Sequence, residues 1–118
     1  MKLFISADIE GCVGTTLASE THKETPEYRQ FAKRMTDEVR IVCQAALEAG
    51  ADEIVVKDGH GDATNIDFTA MPEGVTLIRG KSGHPYNMMF GLDETFDGVL
   101  YVGYHAPAGN GGNPISHT

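Results

Sequence analysis

Four short apolar runs along the chain predict four β-strands. The runs span residues 3–7, 53–57, 75–78 and 99–104. Apart from 75–78, they are continuously apolar rather than alternating, which is typical of strands that are covered on both faces. We therefore expect a parallel sheet.

A long amphipathic helix is predicted between the first two strands, from Pro26 to about Ala49. Its apolar positions recur at steps of three and four and are Tyr28, Phe31, Met35, Val39, Val42, Ala46 and Ala49. Thr25 is the expected N-cap, Pro26 the first helical residue and Gly50 the left-handed residue that ends the helix. A weaker helix is expected at about 86–92. The predicted fold is α/β, a mostly parallel sheet with flanking helices in a Rossmann-like three-layer architecture.

Residues 107–118, PAGNGGNPISHT, are rich in glycine, asparagine and proline and show no periodicity, so they predict a loop. The chain is thus expected to contain one α/β domain over residues 1–106, followed by this glycine-rich loop. Because no helix or strand closes the domain after the loop, we expect the domain to be truncated.

Composition and charge exclude several classes of protein. The 118 residues are 41% hydrophobic and 22% charged, which is typical of a globular domain. Seventeen acidic residues against nine basic ones give a net charge of -8, which repels nucleic acid and anionic membrane surfaces. No apolar run approaches the roughly 20 residues of a membrane span, and the N-terminus lacks a secretory signal pattern, so a cytoplasmic protein is expected. Cys12 and Cys43 are expected to be free thiols.

Polar residues that can carry chemistry follow three of the predicted strands. Asp8 and Glu10 follow the first strand, His60 follows the second, and His105 follows the fourth. Ligands of open parallel sheets bind at the carboxyl ends of the strands, so these side chains are expected to converge. Two carboxylates that point the same way repel each other unless a cation lies between them. Together with two imidazoles they suit zinc or, less selectively, manganese, iron or cobalt, and one carboxylate can bridge two ions.

Each of these residues also has an ordinary structural interpretation. Asp8 and Glu10 are compatible with a solvated turn, and His60 and His105 with histidines that only bond the backbone. His117, in the terminal loop, is either a general acid, base or nucleophile beside the metal or a disordered terminal residue.

The residues around the predicted site are assigned lesser roles. Asp58 and Asp62 are expected either to orient His60 or to shape its turn. Cys12 is near enough to ligate a metal as thiolate, but a small buried thiol is the preferred interpretation. His22 and His84 are expected to be solvated.

Four spaced motifs, MKLFISADIEG, KDGHGDATN, GLDETFDGVLYVGYHA and ISHT, resemble the D-aminopeptidase family of zinc metallopeptidases over the whole chain. The resemblance implies two Zn²⁺ ions, with Asp8 bridging them, Glu10 and His60 completing the ligands of one, and His105 serving the other. It implies that His117 is the catalytic nucleophile. It also implies short substrate peptides with an N-terminal D-amino acid, and a homo-oligomer, a decamer of stacked pentamers.

The chain departs from the family pattern at one point. The family takes a further glutamate ligand from downstream of the His117 motif, where this sequence has ended. The chain is therefore expected to be the N-terminal part of a longer protein, which needs its C-terminal part to complete the site.

Two rival functions remain open at this point. The start ADIEGCVGTT also resembles the haloacid dehalogenase phosphatases, with Asp8 as nucleophile, although Glu10 then stands where that family has aspartate, and His60 and His105 have no role. A non-catalytic metal-binding or assembly module of the same fold is the other alternative.

Overall fold

The computed structural model describes residues 1–118 and contains one long helix and four strands. In chain order these are β1 (Lys2–Ala7), α1 (Tyr28–Glu48), β2 (Glu53–Asp58), β3 (Val75–Ile78) and β4 (Gly98–Val102). Three short 3-10 turns lie at Ala18–Thr21, Phe68–Ala70 and Asn87–Met89. None of the helices combines the length and the apolar character that crossing a bilayer requires.

The four strands form one all-parallel sheet in the order β3-β2-β1-β4. At the carboxyl end of β1, Ala7 pairs with Asp58 on one side and with Val102 on the other, so three strands end at the same level. The chain proceeds from β1 through β2 to β3 on one side and then places β4 on the opposite side of β1. The strand order reverses between β1 and β4, and in open α/β sheets a ligand crevice lies at such a reversal.

Helix α1 covers one face of the sheet. Met35, Val39 and Cys43 of this helix are fully buried, and they pack in one cluster with Ile5 and Val56 of the sheet. Burying an aliphatic side chain of this size contributes roughly 1.5–3 kcal/mol. The central strands are thus anchored firmly enough to hold the loops at their ends.

The segment between β3 and β4 covers the opposite face. The ring of Phe96 lies edge-on to Phe4 at a centroid distance of 5.3 Å. The Ser6 hydroxyl donates to the Met88 carbonyl at 2.7 Å. The fully buried Lys57 donates its ammonium protons to the carbonyl of Gly80 at 3.0 Å. Both faces of β1 and β2 are therefore covered, as their continuous apolar runs predicted. For β4 this prediction was wrong, because Leu100 and Tyr101 are exposed.

The C-terminal end of α1 follows the prediction, and its N-terminal end does not. Gly50 has a φ of +102°, and its N–H bonds the Leu47 carbonyl while that of Ala51 bonds the Ala46 carbonyl, which is a Schellman motif. At the other end, the prediction of Thr25 as N-cap was wrong. The helix begins at Tyr28 and its N-cap is Glu27.

The prediction of a helix at about 86–92 was also wrong. Only the single 3-10 turn Asn87–Met89 forms there, and Gly91 follows it with a φ of +102°. The α/β fold itself is confirmed, with all four predicted strands present.

Candidate metal centre

The turns after β1 and β4 touch each other closely. The Asp8 N–H donates to the Val102 carbonyl at 2.9 Å, and the Gly11 N–H donates to the Gly103 carbonyl at 2.7 Å. A Cβ on Gly11 would lie 2.0 Å from the Tyr104 carbonyl oxygen, and one on Gly103, whose φ is +66°, would lie 2.2 Å from the Asp8 carbonyl oxygen. Only glycine at these two positions allows the two turns to come this close.

The turn after β2 brings His60 to the same place. The Gly59 N–H donates to the Ala7 carbonyl at 2.8 Å, which ties this turn to the end of β1. His60 Nδ1 then lies 3.3 Å from Asp8 Oδ1 and 3.7 Å from Glu10 Oε1. The convergence at the sheet edge was predictable because all three strands end in register.

His105 and His117 approach the carboxylates from the other side. His105 Nε2 lies 3.5 Å from Glu10 Oε2 and 3.9 Å from Asp8 Oδ2. His117 Nε2 lies 3.0 Å from Glu10 Oε2. The two imidazoles are stacked, with centroids 3.7 Å apart and planes inclined by 14°. The terminal loop reaches this position through a bridge between Pro107 and His117. The structure therefore brings all five predicted site residues together.

The second nitrogen of each imidazole bonds a main-chain carbonyl. His60 Nε2 lies 2.7 Å from the Thr21 oxygen, His105 Nδ1 2.8 Å from the Ala106 oxygen, and His117 Nδ1 2.7 Å from the Ile115 oxygen. Each of these nitrogens must carry the proton, since a carbonyl oxygen only accepts. In the neutral rings, the nitrogens that face the carboxylates therefore present lone pairs. Lone pairs and anionic oxygens repel one another unless a cation is placed among them.

The ligand atoms fall into two groups, each with its atoms within 4.8 Å of one another. One group is Asp8, Glu10 and His60, and the other is Glu10, His105 and His117. Imidazole nitrogens and carboxylate oxygens are the donors that zinc takes in catalytic sites, so the residues present fit this ion. Glu10 belongs to both groups, whereas the resemblance gives the bridging role to Asp8. His117, expected as a nucleophile, lies at ligand distance in the second group.

The metal-free cluster favours positive charge. Burial lowers the pKa of His60. This effect is outweighed by the hydrogen bonds to Asp8 and to the Thr21 carbonyl, together with the charges of Asp8 and Glu10, so the pKa of His60 lies above its usual value. Asp8 is only 2% exposed and accepts the Ile9 N–H at 2.7 Å. A cation, whether a proton or a metal ion, therefore stabilises this arrangement.

The neighbouring acids and Cys12 do not join the cluster. Asp62 pairs with Lys23 at 2.8 Å, and this hydrogen bond together with those from Thr64 lowers the pKa of Asp62 to about 2. Asp58 bonds main-chain N–H groups, not the His60 ring. The buried Cys12 donates its S–H to the Asp8 carbonyl at 3.2 Å, and burial raises the pKa of its thiol far above the usual value. Cys12 is thus a small buried thiol, and Cys43 is likewise free and buried.

Sequence reasoning missed Thr21, whose carbonyl orients the His60 ring. No signal could have revealed it, since Thr21 acts through its main chain. His22 and His84 are exposed, as predicted.

A cavity of about 440 Å³ opens beside the cluster. It is bordered by both carboxylates, the three imidazoles and Met88. The side chain of His117 is half exposed at its edge, whereas Asp8 lies at its floor. A small molecule in this cavity would contact the candidate metal ligands directly.

Comparisons with known proteins give one family. The model of the M55 peptidases, described as D-aminopeptidase, matches residues 1–118. The chain is 33% identical over 118 residues to a D-aminopeptidase of Bacillus subtilis (strain 168), covering 100% of this chain and 42% of that protein. A solved structure described as the Zn-dependent D-aminopeptidase DppA from Bacillus subtilis, a self-compartmentalizing protease, matches with a TM-score of 0.93 and 32% identity, again over 100% of this chain and 42% of the other. The chain thus spans less than half the length of these relatives.

Proposed function

Because this chain belongs to the D-aminopeptidase family, we propose that it forms the metal-binding part of a zinc-dependent enzyme that removes an N-terminal D-amino acid from short peptides. One observation carries the proposal. Three imidazole lone pairs and two carboxylates converge at the strand-order reversal, beside a cavity that is open to solvent. This donor set and this place in the fold suit a catalytic zinc site.

Asp8, Glu10, His60 and His105 are the proposed ligands of two Zn²⁺ ions. Asp8, Glu10 and His60 would hold one ion, and the other would take His105 from the second group of donors, in which His117 is left free for catalysis. Bound zinc polarises a carbonyl group and lowers the pKa of water to about 7. The chain's own contribution is to fix its imidazoles in the required tautomer. The carbonyls of Thr21 and Ala106 hold the N–H protons of His60 and His105 on the far side of each ring.

His117 is the proposed catalytic residue. Its Nδ1–H bonds the Ile115 carbonyl, which leaves Nε2 with a lone pair at the edge of the cavity. From this position Nε2 is able to take a proton from water as the water oxygen attacks the scissile carbonyl, and to pass this proton to the leaving amine. Alternatively, Nε2 itself bonds the carbonyl carbon, the amine takes a proton from water and leaves as the peptide C–N bond breaks, and the remaining hydroxide displaces the imidazole from the carbonyl carbon. Hydrolysis breaks the C–N bond of the peptide, adds a hydroxyl group to the carbonyl carbon and a proton to the amine. Stacking on His105 holds the His117 ring parallel to a proposed ligand.

We propose this activity for a longer protein of which this chain would be the N-terminal part, because the chain spans 42% of its matched relatives. The resemblance places a further glutamate ligand in the C-terminal part, which would complete the second group of donors. The relative is described as a self-compartmentalizing protease. We accordingly propose that the complete protein assembles with copies of itself, as a decamer of stacked pentamers, in the cytoplasm.

The rival functions gain less support. In a haloacid dehalogenase phosphatase, Asp8 would need room for a phosphoryl group, but it is 2% exposed and lies between two imidazoles. If the chain is a non-catalytic module, it should bind zinc without hydrolysing peptides, and the following experiment distinguishes this case.

The test uses the protein as encoded, purified with zinc. Hydrolysis of a dipeptide with N-terminal D-alanine is compared with that of its L-alanine counterpart, and zinc content is measured in parallel. We expect D-specific hydrolysis, a loss of at least about 100-fold in kcat for H117A with zinc retained, and a loss of both zinc and activity for H105A. The exposed His84 supplies the matched control H84A, which should behave as wild type. An H117A variant with normal zinc and unchanged activity would contradict the role of His117, and a wild type that binds no zinc would contradict the proposed function.

A further inference from the structure

The turn that carries His60 is closed by a fully buried carboxylate, that of Asp58. Asp58 Oδ2 accepts the main-chain N–H groups of Asn65 at 2.7 Å and Ile66 at 2.8 Å. Its other oxygen accepts the Asn65 side-chain amide at 2.9 Å and the His60 N–H at a longer 3.4 Å. Asp58 thereby joins the two ends of the turn.

Asn65 extends this connection to His60 and to α1. Its side-chain amide also donates to the His60 carbonyl at 2.7 Å. The Tyr28 hydroxyl donates to Asn65 Oδ1 at 2.5 Å, which fixes the direction in which the amide NH₂ points. Both the main-chain N–H and the carbonyl of His60 are therefore bonded to this pair of side chains.

The sequence of the turn is flexible without these bonds. His60 lies between Gly59 and Gly61, and glycine has the least restricted backbone of all residues. Ala63, in the same turn, has a φ of +61°, a left-handed conformation that costs a residue with a Cβ roughly 1–2 kcal/mol. Strain of this kind persists only where the surroundings enforce it, and it concentrates at functional sites.

We propose that Asp58 and Asn65 are positioning residues for the metal centre, which hold the His60 main chain so that Nδ1 faces Asp8 and Glu10. Neither side chain touches the proposed ligand atoms, and both act through the turn. The inference rests on the proposed function of the centre as a zinc site. Groups that orient metal ligands typically change metal affinity by about 10–100-fold when they are removed.

The substitution D58N tests this role, because it keeps the shape of the side chain but turns an NH₂ group toward N–H donors. We expect its zinc affinity, measured by competition with a chelator in the protein as encoded, to fall by about 10–100-fold. Y28F removes only the hydroxyl bond to Asn65, so we expect a smaller loss in the same direction. In the metal-free D58N protein, amide hydrogen exchange at Ala63 and Ile66 should become faster.

Two controls separate positioning from general stability. Asp67 accepts the Thr69 N–H at 2.9 Å in the next turn and makes no contact with His60, so D67N is a matched Asp-to-Asn change that should leave zinc affinity unaltered. V39A creates a cavity in the core under α1 and should lower the melting temperature without changing zinc affinity.

The outcomes distinguish this inference from the proposed function. Zinc affinities of D58N and Y28F equal to those of wild type and D67N would overturn the inference and leave the zinc site standing. An equal loss of affinity in V39A would also overturn it, because general destabilisation would then suffice. A wild-type protein without zinc affinity would overturn both. If D58N does not fold, the graded effect of Y28F against V39A decides the question.

Discussion

The contact between Gly11 and the turn after β4 makes the substitution G11A a sharp test of how the site is built. A Cβ on Gly11 would lie 2.0 Å from the Tyr104 carbonyl oxygen, whereas real Cβ atoms almost never come within 3.0 Å of such a neighbour. The obstacle is main chain, so no side chain can rotate away. The two turns must separate by at least about 1 Å.

This displacement acts on both stability and metal binding. Overpacking of this kind costs about 1–3 kcal/mol, and loss of the bond from the Gly11 N–H to Gly103 adds about 0.5–1.5 kcal/mol. We therefore expect the free energy of unfolding of the metal-free protein to fall by roughly 1.5–4.5 kcal/mol. Zinc ligand distances tolerate only about 0.2 Å, so a shift of Glu10 away from His105 by several times this amount should abolish tight zinc binding.

The assay is denaturant unfolding without metal, followed by zinc titration against a chelator, with two glycines as controls. Gly111 has open space around it, so G111A should change the free energy of unfolding by less than about 0.5 kcal/mol. Gly14 also has open space but a φ of +90°, so G14A should cost about 1–2 kcal/mol and leave zinc affinity unchanged. A G11A protein that matches G111A in both measurements would refute the close-approach argument.

Two further predictions concern buried groups on either face of the sheet. Burial raises the pKa of Cys43 to about 11, so at pH 8 iodoacetamide should alkylate it at least about 100-fold more slowly in the native protein than in denaturant, and equal rates in both states would contradict the burial. Since the folded state favours the neutral thiol, the contribution of Cys43 to the free energy of unfolding should fade as pH rises from about 9 to about 11. Burial lowers the pKa of Lys57, so the folded state binds fewer protons than the unfolded one and stability should rise as pH approaches 10.5. Denaturant unfolding across pH should show no such rise in the stability of K57M. At neutral pH, K57M should be less stable than wild type by about 1–3 kcal/mol, because the carbonyls of Asp58 and Gly80 lose their hydrogen-bond donor. A rise that persists in K57M would show that another group causes it.

The strands were predictable from the sequence, and the start of the long helix was not. Continuous apolar runs are typical of strands that are covered on both faces, and β1 and β2 are such strands, whereas the equally apolar β4 leaves Leu100 and Tyr101 exposed. The pair Thr25 and Pro26 is equally suited to a turn. In the structure the Thr25 hydroxyl shares its one proton between the carbonyls of Ser19 and His22, so it closes a turn and α1 begins later. Local preference alone does not separate these two uses of a threonine.

The convergence of the candidate ligands was predictable, and its finer geometry was not. Asp8, His60 and His105 follow strands whose carboxyl ends must meet, so their proximity follows from topology. The stacking of His117 on His105 depends on how the glycine-rich loop folds back, for which the sequence holds no periodic signal. The network of Asp58 was open to two interpretations because a carboxylate two positions from a histidine can bond either its ring or its main chain.

The place of β1 in the middle of the sheet has a consequence for how the protein is made. β1 is synthesised before both of its neighbours, since β2 comes from the middle and β4 from near the end of these 118 residues. At about 5–20 residues per second, the unit of β1, α1 and β2 is complete seconds before β4 is synthesised. Asp8 therefore meets His60 while one edge of β1 is still bare, and His105 arrives only when β4 closes that edge. In such a nascent chain, Asp8, Glu10 and His60 can come together before His105 has been synthesised.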